Sequence, residues 1–315
     1  MYIMTGATGH IGNNVLRTFI DHQIPCKVLL RKLGPALEGL TFDYAIGDIF
    51  DITFLAAHVQ AGDTFIHVAG VIDLTKKNRQ ASEDTNVKGS KIIADFCHTH
   101  HVRLIYVSSV DAINKPVNGD PIYEPTHFDI AKIKSHYAKS KATGTAYVLD
   151  LMNNQQLQGA IVYPSAVIGI HDYKPSAAGI QLIKAAKRRI LLYIKGGYNF
   201  IDVRDTALAI YKIAVNQKSG GYILAGHEVT IKDFYQTIAS VSQRKKFLVY
   251  VPAFIARAST WFLINVSKVM IDAIQENYHY VNDKMIQDLD IIPRPFTETV
   301  SDTLHWFDEN PIQLQ

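Results

Sequence analysis

Thr5-Gly6-Ala7-Thr8-Gly9-His10-Ile11-Gly12, almost at the start of the chain, limits the folds open to it more than any other stretch. Three glycines at three-residue spacing follow the short apolar run Tyr2-Ile3-Met4 and open a helical pattern through Val15, Leu16, Phe19 and Ile20. A strand that turns sharply into a helix aims backbone N–H groups and a positive helix end at one point, the arrangement that cradles a pyrophosphate. Glycine permits both the turn and the approach of a phosphate to the backbone. A glycine-rich turn alone is equally an ordinary tight loop, so its meaning depends on what the rest of the chain supplies.

The first half alternates short β-branched apolar runs with helical patterns, the signature of a parallel, doubly wound α/β sheet of the Rossmann kind. Strands are expected at 2–5, 27–30, 44–46, 64–67, 103–108 and 159–163, apolar on both faces as buried parallel strands are. Helices are expected at 11–21, 52–59, 85–100 and 131–152. After Pro164 the alternation fades. A short strand near 199–203, another at 223–224 and a helix near 230–241 precede a tail of amphipathic helices punctuated by Pro293 and Pro295. The pattern divides the chain into a dinucleotide-binding domain at 1–165, to which 197–215 returns, and a smaller interleaved substrate domain at 166–315.

Length and composition suit a globular chain of this size: 315 residues, 48% hydrophobic, 19% charged. A net charge of +3 with scattered basic residues gives no footprint for nucleic acid. The run Lys184, Lys187, Arg188, Arg189 reads as a solvated helix face. Two cysteines, Cys26 and Cys97, define neither a disulfide framework nor a zinc spacing, which fits a reducing cytoplasm. Residues 1–5 read as the first core strand rather than a signal peptide. The apolar segment 253–274 is broken by Arg257, Asn265, Lys268 and Asp272 and falls short of a membrane span, so an amphipathic helix is expected and no integral membrane segment. His98, His100 and His101 sit at a helix end without an acid or cysteine at ligand spacing, and no metal site is assigned.

Tyr137-Ala138-Lys139-Ser140-Lys141 puts Tyr137 and Lys141 four apart in an expected helix, on one face. An ammonium beside a phenol favours the phenolate and lets the hydroxyl exchange a proton near neutral pH, and the same lysine reaches a cofactor ribose. A third hydroxyl, to polarise a substrate oxygen, is expected at the carboxyl end of the 103–108 strand, where ligands of doubly wound folds bind. Ser109 is the candidate and Ser108 the alternate.

These motifs together resemble the extended short-chain dehydrogenase/reductases, in the NAD(P)-dependent epimerase/dehydratase group, and within it the branch of dihydroflavonol reductases and 3β-hydroxysteroid dehydrogenases. Besides Thr5–Gly12 and Tyr137–Lys141, the resemblance rests on Gly47-Asp48-Ile49, His67-Val68-Ala69-Gly70, Asn86-Val87-Lys88-Gly89, Val107-Ser108-Ser109, Tyr163-Pro164-Ser165 with Val167-Ile168-Gly169, and Phe200-Ile201-Asp202-Val203-Arg204-Asp205. It implies that Gly6, Gly9 and Gly12 hold the pyrophosphate, and that Thr8, His10, Ile11 and Ser108 also border the cofactor. Asp48 and Ile49 would meet adenine, Ala69 and Gly70 the cofactor's central path, and Tyr163 and Pro164 the nicotinamide. Asn86 would lie behind the site in a structural or ribose-side role. Ser109, Tyr137 and Lys141 would form the catalytic set. Asp202 to Asp205 would lock the two domains together, or Arg204 would meet an anionic substrate. A homodimer built from the helices carrying Asn86 and Tyr137 is implied as well.

Cofactor choice follows from charge. An NAD enzyme places a carboxylate after the second strand to bind the ribose hydroxyls. Here Arg31 and Lys32 stand there, and the nearest acids are Asp21 and Glu38. A guanidinium pairs bidentately with a 2′-phosphate, so NADP(H) is favoured, with NAD(H) the alternative. Ser109 is followed by Val110-Asp111-Ala112, without the adjacent acid pair of many dehydratases, and this favours a carbonyl/alcohol oxidoreductase. Asp111 keeps a sugar or nucleotide-sugar epimerase or dehydratase with retained NAD open, while a non-catalytic dinucleotide sensor would need no proton donor. Tyr173, Tyr193, Tyr198, Phe200 and segment 254–270 suggest an apolar, aromatic-lined pocket for a small-molecule substrate.

Overall fold

The computed structural model describes residues 1–72, 79–116, 119–259, 268–276 and 278–312. Seven strands form one parallel sheet: β1 (Tyr2–Thr5), β2 (Cys26–Leu30), β3 (Asp43–Ile46), β4 (Thr64–His67), β5 (Arg103–Val107), β6 (Gly159–Pro164) and, far later in sequence, β10 (Gly220–Leu224). Their order, β10-β6-β5-β4-β1-β2-β3, places the reversal of winding between β1 and β4. The crevice at the carboxyl ends of those two strands is where doubly wound folds take ligands.

Alternation along the strands sorts side chains onto two faces. Met4, Val28, Ile66, Ile105, Val162 and Leu224 form one core with Leu16 and Phe19 of α1 (His10–Asp21) and with Ile210 and Ile213. Ile3, Leu29, Phe65, Tyr106, Ile161 and Tyr163 form the other, with Ile93, Phe96, Val148 and Leu151. Between β3 and β5 lie α2 (Ile52–His58), α3 (Arg79–Glu83) and α4 (Ser90–Thr99), the last two joined by a π-helical stretch, Asp84–Gly89. α5 (His136–Asn153) precedes β6.

Three local expectations change. β3 is an edge strand with one neighbour, so Tyr44 and Ile46 are exposed rather than buried. The helix expected at 85–100 starts earlier and widens through the π turn. The helix expected from 131 starts at His136, because Ser135 caps it through an Oγ that accepts from Ala138 N at 3.0 Å.

The remaining chain interleaves with the sheet. β7 (Ala166–Ile168), β9 (Gly197–Asp202) and β11 (His227–Thr230) make a three-stranded sheet, and β8 (Ile190–Tyr193) pairs in parallel with β12 (Phe247–Tyr250). α6 (Ala177–Lys187) and α8 (Ile231–Val241) pack with these, while α7 (Val203–Val215) lies on the main sheet against α1. α9 (Ala253–Ser259), α10 (Lys268–Ile274), α11 (Asp283–Leu289) and α12 (Phe296–Glu309) complete the chain. β10 extends the main sheet beside β6, and Met285 and Leu289 of α11 enter its core, although both segments fall in the 166–315 stretch. Arg204 ties α7 to α12, bonding Asp202 through two nitrogens at 2.9 and 2.7 Å and Asp302 at 2.7 Å. Among the described residues no helix is long and apolar enough to cross a membrane. Part of segment 253–274, at 260–267, lies outside them.

Candidate active site

The glycines of the first turn differ in what each has room for. Gly6 has φ +83°, and a Cβ there would come within 2.6 Å of Ala69 N. A Cβ on Gly12 would lie 2.2 Å from the Gly6 carbonyl oxygen. Both are required by the fold, since β1 meets the residues after β4 at Gly6 and α1 seats on the turn at Gly12. Gly9 is exposed, has φ −91° and ψ 168°, and would bring a Cβ no nearer than 3.4 Å to its closest neighbour, Gly6 O. Nothing within the chain demands a glycine at this position. The open backbone at the head of α1 fits a pyrophosphate, for which close approach is the physical reason to keep Gly9 bare.

Thr8 stands in the same turn, half-buried, and Ile11 opens α1. His10 has its ring turned elsewhere: Nε2 bonds the Ile170 carbonyl at 3.0 Å and Nδ1 lies 3.9 Å from Asp172. Arg31 and Lys32 follow β2 directly and are exposed, and no acid stands between them and Glu38. Asp48 is exposed, its Oδ1 accepting from Phe50 N at 3.0 Å, and Ile49 beside it is buried.

Ala69 and Gly70 follow β4, and Asn86 holds the loop after them. Its Oδ1 accepts from Val71 N at 3.0 Å and its Nδ2 donates to Val71 O at 2.8 Å, with Ser82 and Ser140 hydroxyls at 3.1 Å. The π turn places Asn86 there, and Gly144 of α5 packs against it so closely that a Cβ would come within 2.1 Å of Asn86 O. With both ends of its amide used inside the protein, Asn86 shapes the loop. Gly70 clears space for Lys141: a Cβ on Gly70 would meet Lys141 Nζ at 2.9 Å.

Tyr137 and Lys141 lie one turn apart in α5, both buried. Lys141 Nζ donates to the Val107 carbonyl at 3.0 Å and sits 5.5 Å from the Tyr106 ring centroid. Burial lowers its pKa to about 8. The Tyr137 hydroxyl hydrogen-bonds Ser109, yet its pKa is raised, first by burial and then by the nearby Asp111 carboxylate. The expectation that Lys141 makes Tyr137 more acidic is therefore not met in the protein alone: the desolvation of the phenol outweighs the other effects. Tyr137 keeps its proton and is poised as an acid. Beneath Lys141, His67 bonds Thr5 Oγ1 at 2.8 Å, and burial with the neighbouring ammonium depresses its pKa to about 3, so it remains neutral.

The two serines separate cleanly. Ser108 is buried with its hydroxyl 2.6 Å from Thr145 Oγ1, turned into the fold. Ser109 faces Tyr137 and borders a cavity lined also by Asp111, Lys115, Ser165, Tyr198, Asn199, Tyr278 and Tyr280. Pro164 ends β6 just before Ser165. Tyr163 is wholly buried, its ring in the core on the Tyr106 side and its backbone in the ladder beside Ile223 of β10, so the expected contact with a nicotinamide is not available to its side chain.

Of the expected pocket aromatics, Tyr198 lines the cavity. Phe200 is buried among Phe234 and Phe296, Tyr173 packs on Trp306, and Tyr193 meets Tyr250 at a tilt. Arg204 is paired with two aspartates, Asp202 and Asp302, and does not line the cavity beside Ser109. Lys115, Glu276, Tyr278 and Tyr280 escaped the sequence reading. Lys115 Nζ lies 3.7 Å from Asp111, four residues before it, and 2.9 Å from Glu276, a contact between distant segments that no spacing or periodicity announces. The lining described is thus more polar than the sequence suggested, with aromatic bodies capped by hydroxyls. His98 bonds the Gln156 carbonyl and His100 stacks on Phe96, and among the described residues no group of His, Cys, Asp or Glu is arranged to hold a metal.

A glycine turn on a doubly wound sheet, with a buried Tyr/Lys pair and a serine after β5 facing the tyrosine, is the arrangement of an oxidoreductase of the extended short-chain dehydrogenase/reductase type. The profile of the NAD dependent epimerase/dehydratase family matches residues 2–226, and the chain belongs to that family. It is 26% identical to a putative dihydroflavonol 4-reductase of Synechocystis over an alignment spanning 97% of this chain and 94% of that protein. It is 28% identical to human 3 beta-hydroxysteroid dehydrogenase type 7 over 51% of this chain and 47% of that one. The crystal structure of gox2253 superposes with a TM-score of 0.86 over 99% of this chain and 98% of the other, at 24% identity, and shares the fold.

Proposed function

We propose that this protein is an NADP(H)-dependent reductase that interconverts a small-molecule carbonyl and its alcohol. The observation that carries the reading is Tyr137, buried and hydrogen-bonded to Ser109, which lines the cavity, with burial favouring the protonated phenol. A bound nicotinamide would supply or accept the hydride. Tyr137 gives its phenolic proton to the carbonyl oxygen as negative charge develops there, and Ser109 donates a hydrogen bond to the same oxygen. Lys141, held by the Val107 carbonyl, supplies positive charge on the cofactor side of Tyr137. Arg31 and Lys32, standing where an NAD enzyme has an acid, support the 2′-phosphate form of the dinucleotide.

The cavity argues for an uncharged substrate. Lys115 stands between two carboxylates, Asp111 and Glu276, so these three groups carry a net negative charge that repels a phosphorylated ligand. Tyr198, Tyr278 and Tyr280 offer apolar rings with polar tips to the body of an apolar carbonyl compound. The second reading, an epimerase or dehydratase that recycles a retained NAD, draws on the family and on Asp111 beside Tyr137. Oxidation of NADPH, with NADH in parallel, is to be followed against aldehydes, ketones and nucleotide-sugars. Turnover of uncharged carbonyls with NADPH is expected. Tyr137→Phe should reduce kcat at least about 100-fold while NADPH still binds. Purified protein carrying bound NAD⁺ and acting on nucleotide-sugars alone would establish the second reading instead.

A further inference from the structure

The ribbon formed by β8 and β12 carries an apolar face left open by the described chain. In its parallel register Ile190 lies beside Phe247 and Leu192 beside Val249. Ile190 is 60% exposed and Phe247 56%, while Leu191 between the outward residues enters the core. α9 begins three residues after β12 and carries two more exposed apolar side chains, Phe254 at 72% and Ile255. The paired Ile190/Phe247 and Leu192/Val249 side chains make an exposed apolar patch of the kind that marks an interaction surface.

Charge around the patch identifies the partner. No Asp or Glu occurs between Asp172 and Asp202, nor between Asp233 and Asp272, and those two segments hold eleven Lys and Arg. The whole chain has 32 basic and 29 acidic residues, so the asymmetry is local. Two cations sit at the patch's own aromatic rings: the Arg189 guanidinium lies 5.6 Å from the Phe247 centroid and Lys195 Nζ 5.9 Å from that of Tyr250. Lys246 is used in capping α6, and Arg257 pairs with Asp272. Lys187, Arg188, Arg189, Lys195, Arg244 and Lys245 are exposed.

We propose that this face docks the protein peripherally on an anionic lipid surface. Ile190, Leu192, Phe247, Val249 and Phe254 enter the headgroup boundary, and the basic rim meets lipid phosphates. A second copy of this chain is the poorer occupant, because a two-fold interface would bring the same basic rim against itself. The docked face is close to the candidate site: Ile194, just after β8, and Ala256 of α9 belong to a cluster against which Tyr198 packs, and Tyr198 lines the cavity. The proposal rests on the surface alone and holds whichever reaction the site runs.

Flotation of the full chain with vesicles of phosphatidylcholine alone, or of equal parts phosphatidylcholine and phosphatidylglycerol, tests it. Co-flotation with the anionic vesicles is expected, weakening as salt screens the surface charges. The double variant Arg189→Glu/Lys245→Glu should lose at least about tenfold in partitioning, since each basic residue near an anionic surface is worth about fivefold. Phe247→Ser/Phe254→Ser should lose a comparable amount, with the thermal midpoint of both variants unchanged. Absence of binding to anionic vesicles, or undiminished binding by both variants, overturns the proposal. So does a dimer, seen by light scattering, that dissociates on Phe247→Ser.

Discussion

The three glycines of the first turn make a sharp test, because the fold itself requires two of them, Gly6 and Gly12, and only the proposed dinucleotide site gives a reason for Gly9. At Gly9 the backbone angles are open to any residue and an added methyl would find only ordinary contact, at 3.4 Å. Gly9→Ala should therefore leave the fold intact or stabilise it by about 0.4–1 kcal/mol, through the lower entropy of the unfolded chain. For a chain of this size that is a thermal midpoint unchanged or raised by about 1–3 °C. Gly12→Ala forces a methyl to within 2.2 Å of a carbonyl oxygen held by the same turn. Overpacking against backbone costs at least about 1–3 kcal/mol, a fall of several degrees. Gly6→Ala adds the strain of a positive φ to a 2.6 Å approach to Ala69 N and should fall further. Thermal melts, paired with NADPH titration by fluorescence, read both quantities. Gly9→Ala should weaken NADPH at least about tenfold, or 1.4 kcal/mol, while melting like the parent. Unchanged NADPH affinity in Gly9→Ala, or an unchanged melt in Gly12→Ala, would refute the assignment.

Arg31→Ser should weaken NADPH by about tenfold or more, the value of a charge-assisted hydrogen-bonded contact, and leave NADH nearly unaffected; equal loss for both cofactors would mean that Arg31 stacks on the base instead. His67 gives the protein an acid limit. Its folded pKa, about 3, lies below the unfolded value near 6.5, so its contribution is complete above that value and is lost as pH falls toward 3. At pH 5 the cost is about 2 kcal/mol, to be read from urea unfolding across pH, and His67→Gln should flatten that part of the profile. A parent profile flat from pH 7 to 5 would contradict the buried, neutral histidine.

Much of the sheet was legible because parallel strands buried on both faces read as uninterrupted apolar runs, and five of the six expected strands are such runs. β3 misled, since an edge strand of four residues carries the same apolar letters without the second neighbour that buries them. β10 reads from sequence only as a short strand in the C-terminal half, because nothing in Gly220–Leu224 says that it pairs with β6 across the 55 intervening residues. The π turn at Asp84–Gly89 was invisible for a similar reason: the close seating of Gly144 against Asn86, a contact between two helices, goes with it.

The sequence by itself determined the motifs whose chemistry is local: the glycine turn, the one-turn spacing of Tyr137 and Lys141, the serine pair after β5, and the basic residues after β2. Local spacing suffices for these because a turn or a helix fixes neighbouring residues relative to one another. Tertiary structure alone decided which serine faces Tyr137, that burial rather than Lys141 governs the tyrosine's proton, and that Lys115 meets Glu276 from a remote loop. It also decided that Arg204 is spent on Asp202 and Asp302. Desolvation and ion pairing depend on what surrounds a group in space, and residues far apart in the chain supply those surroundings.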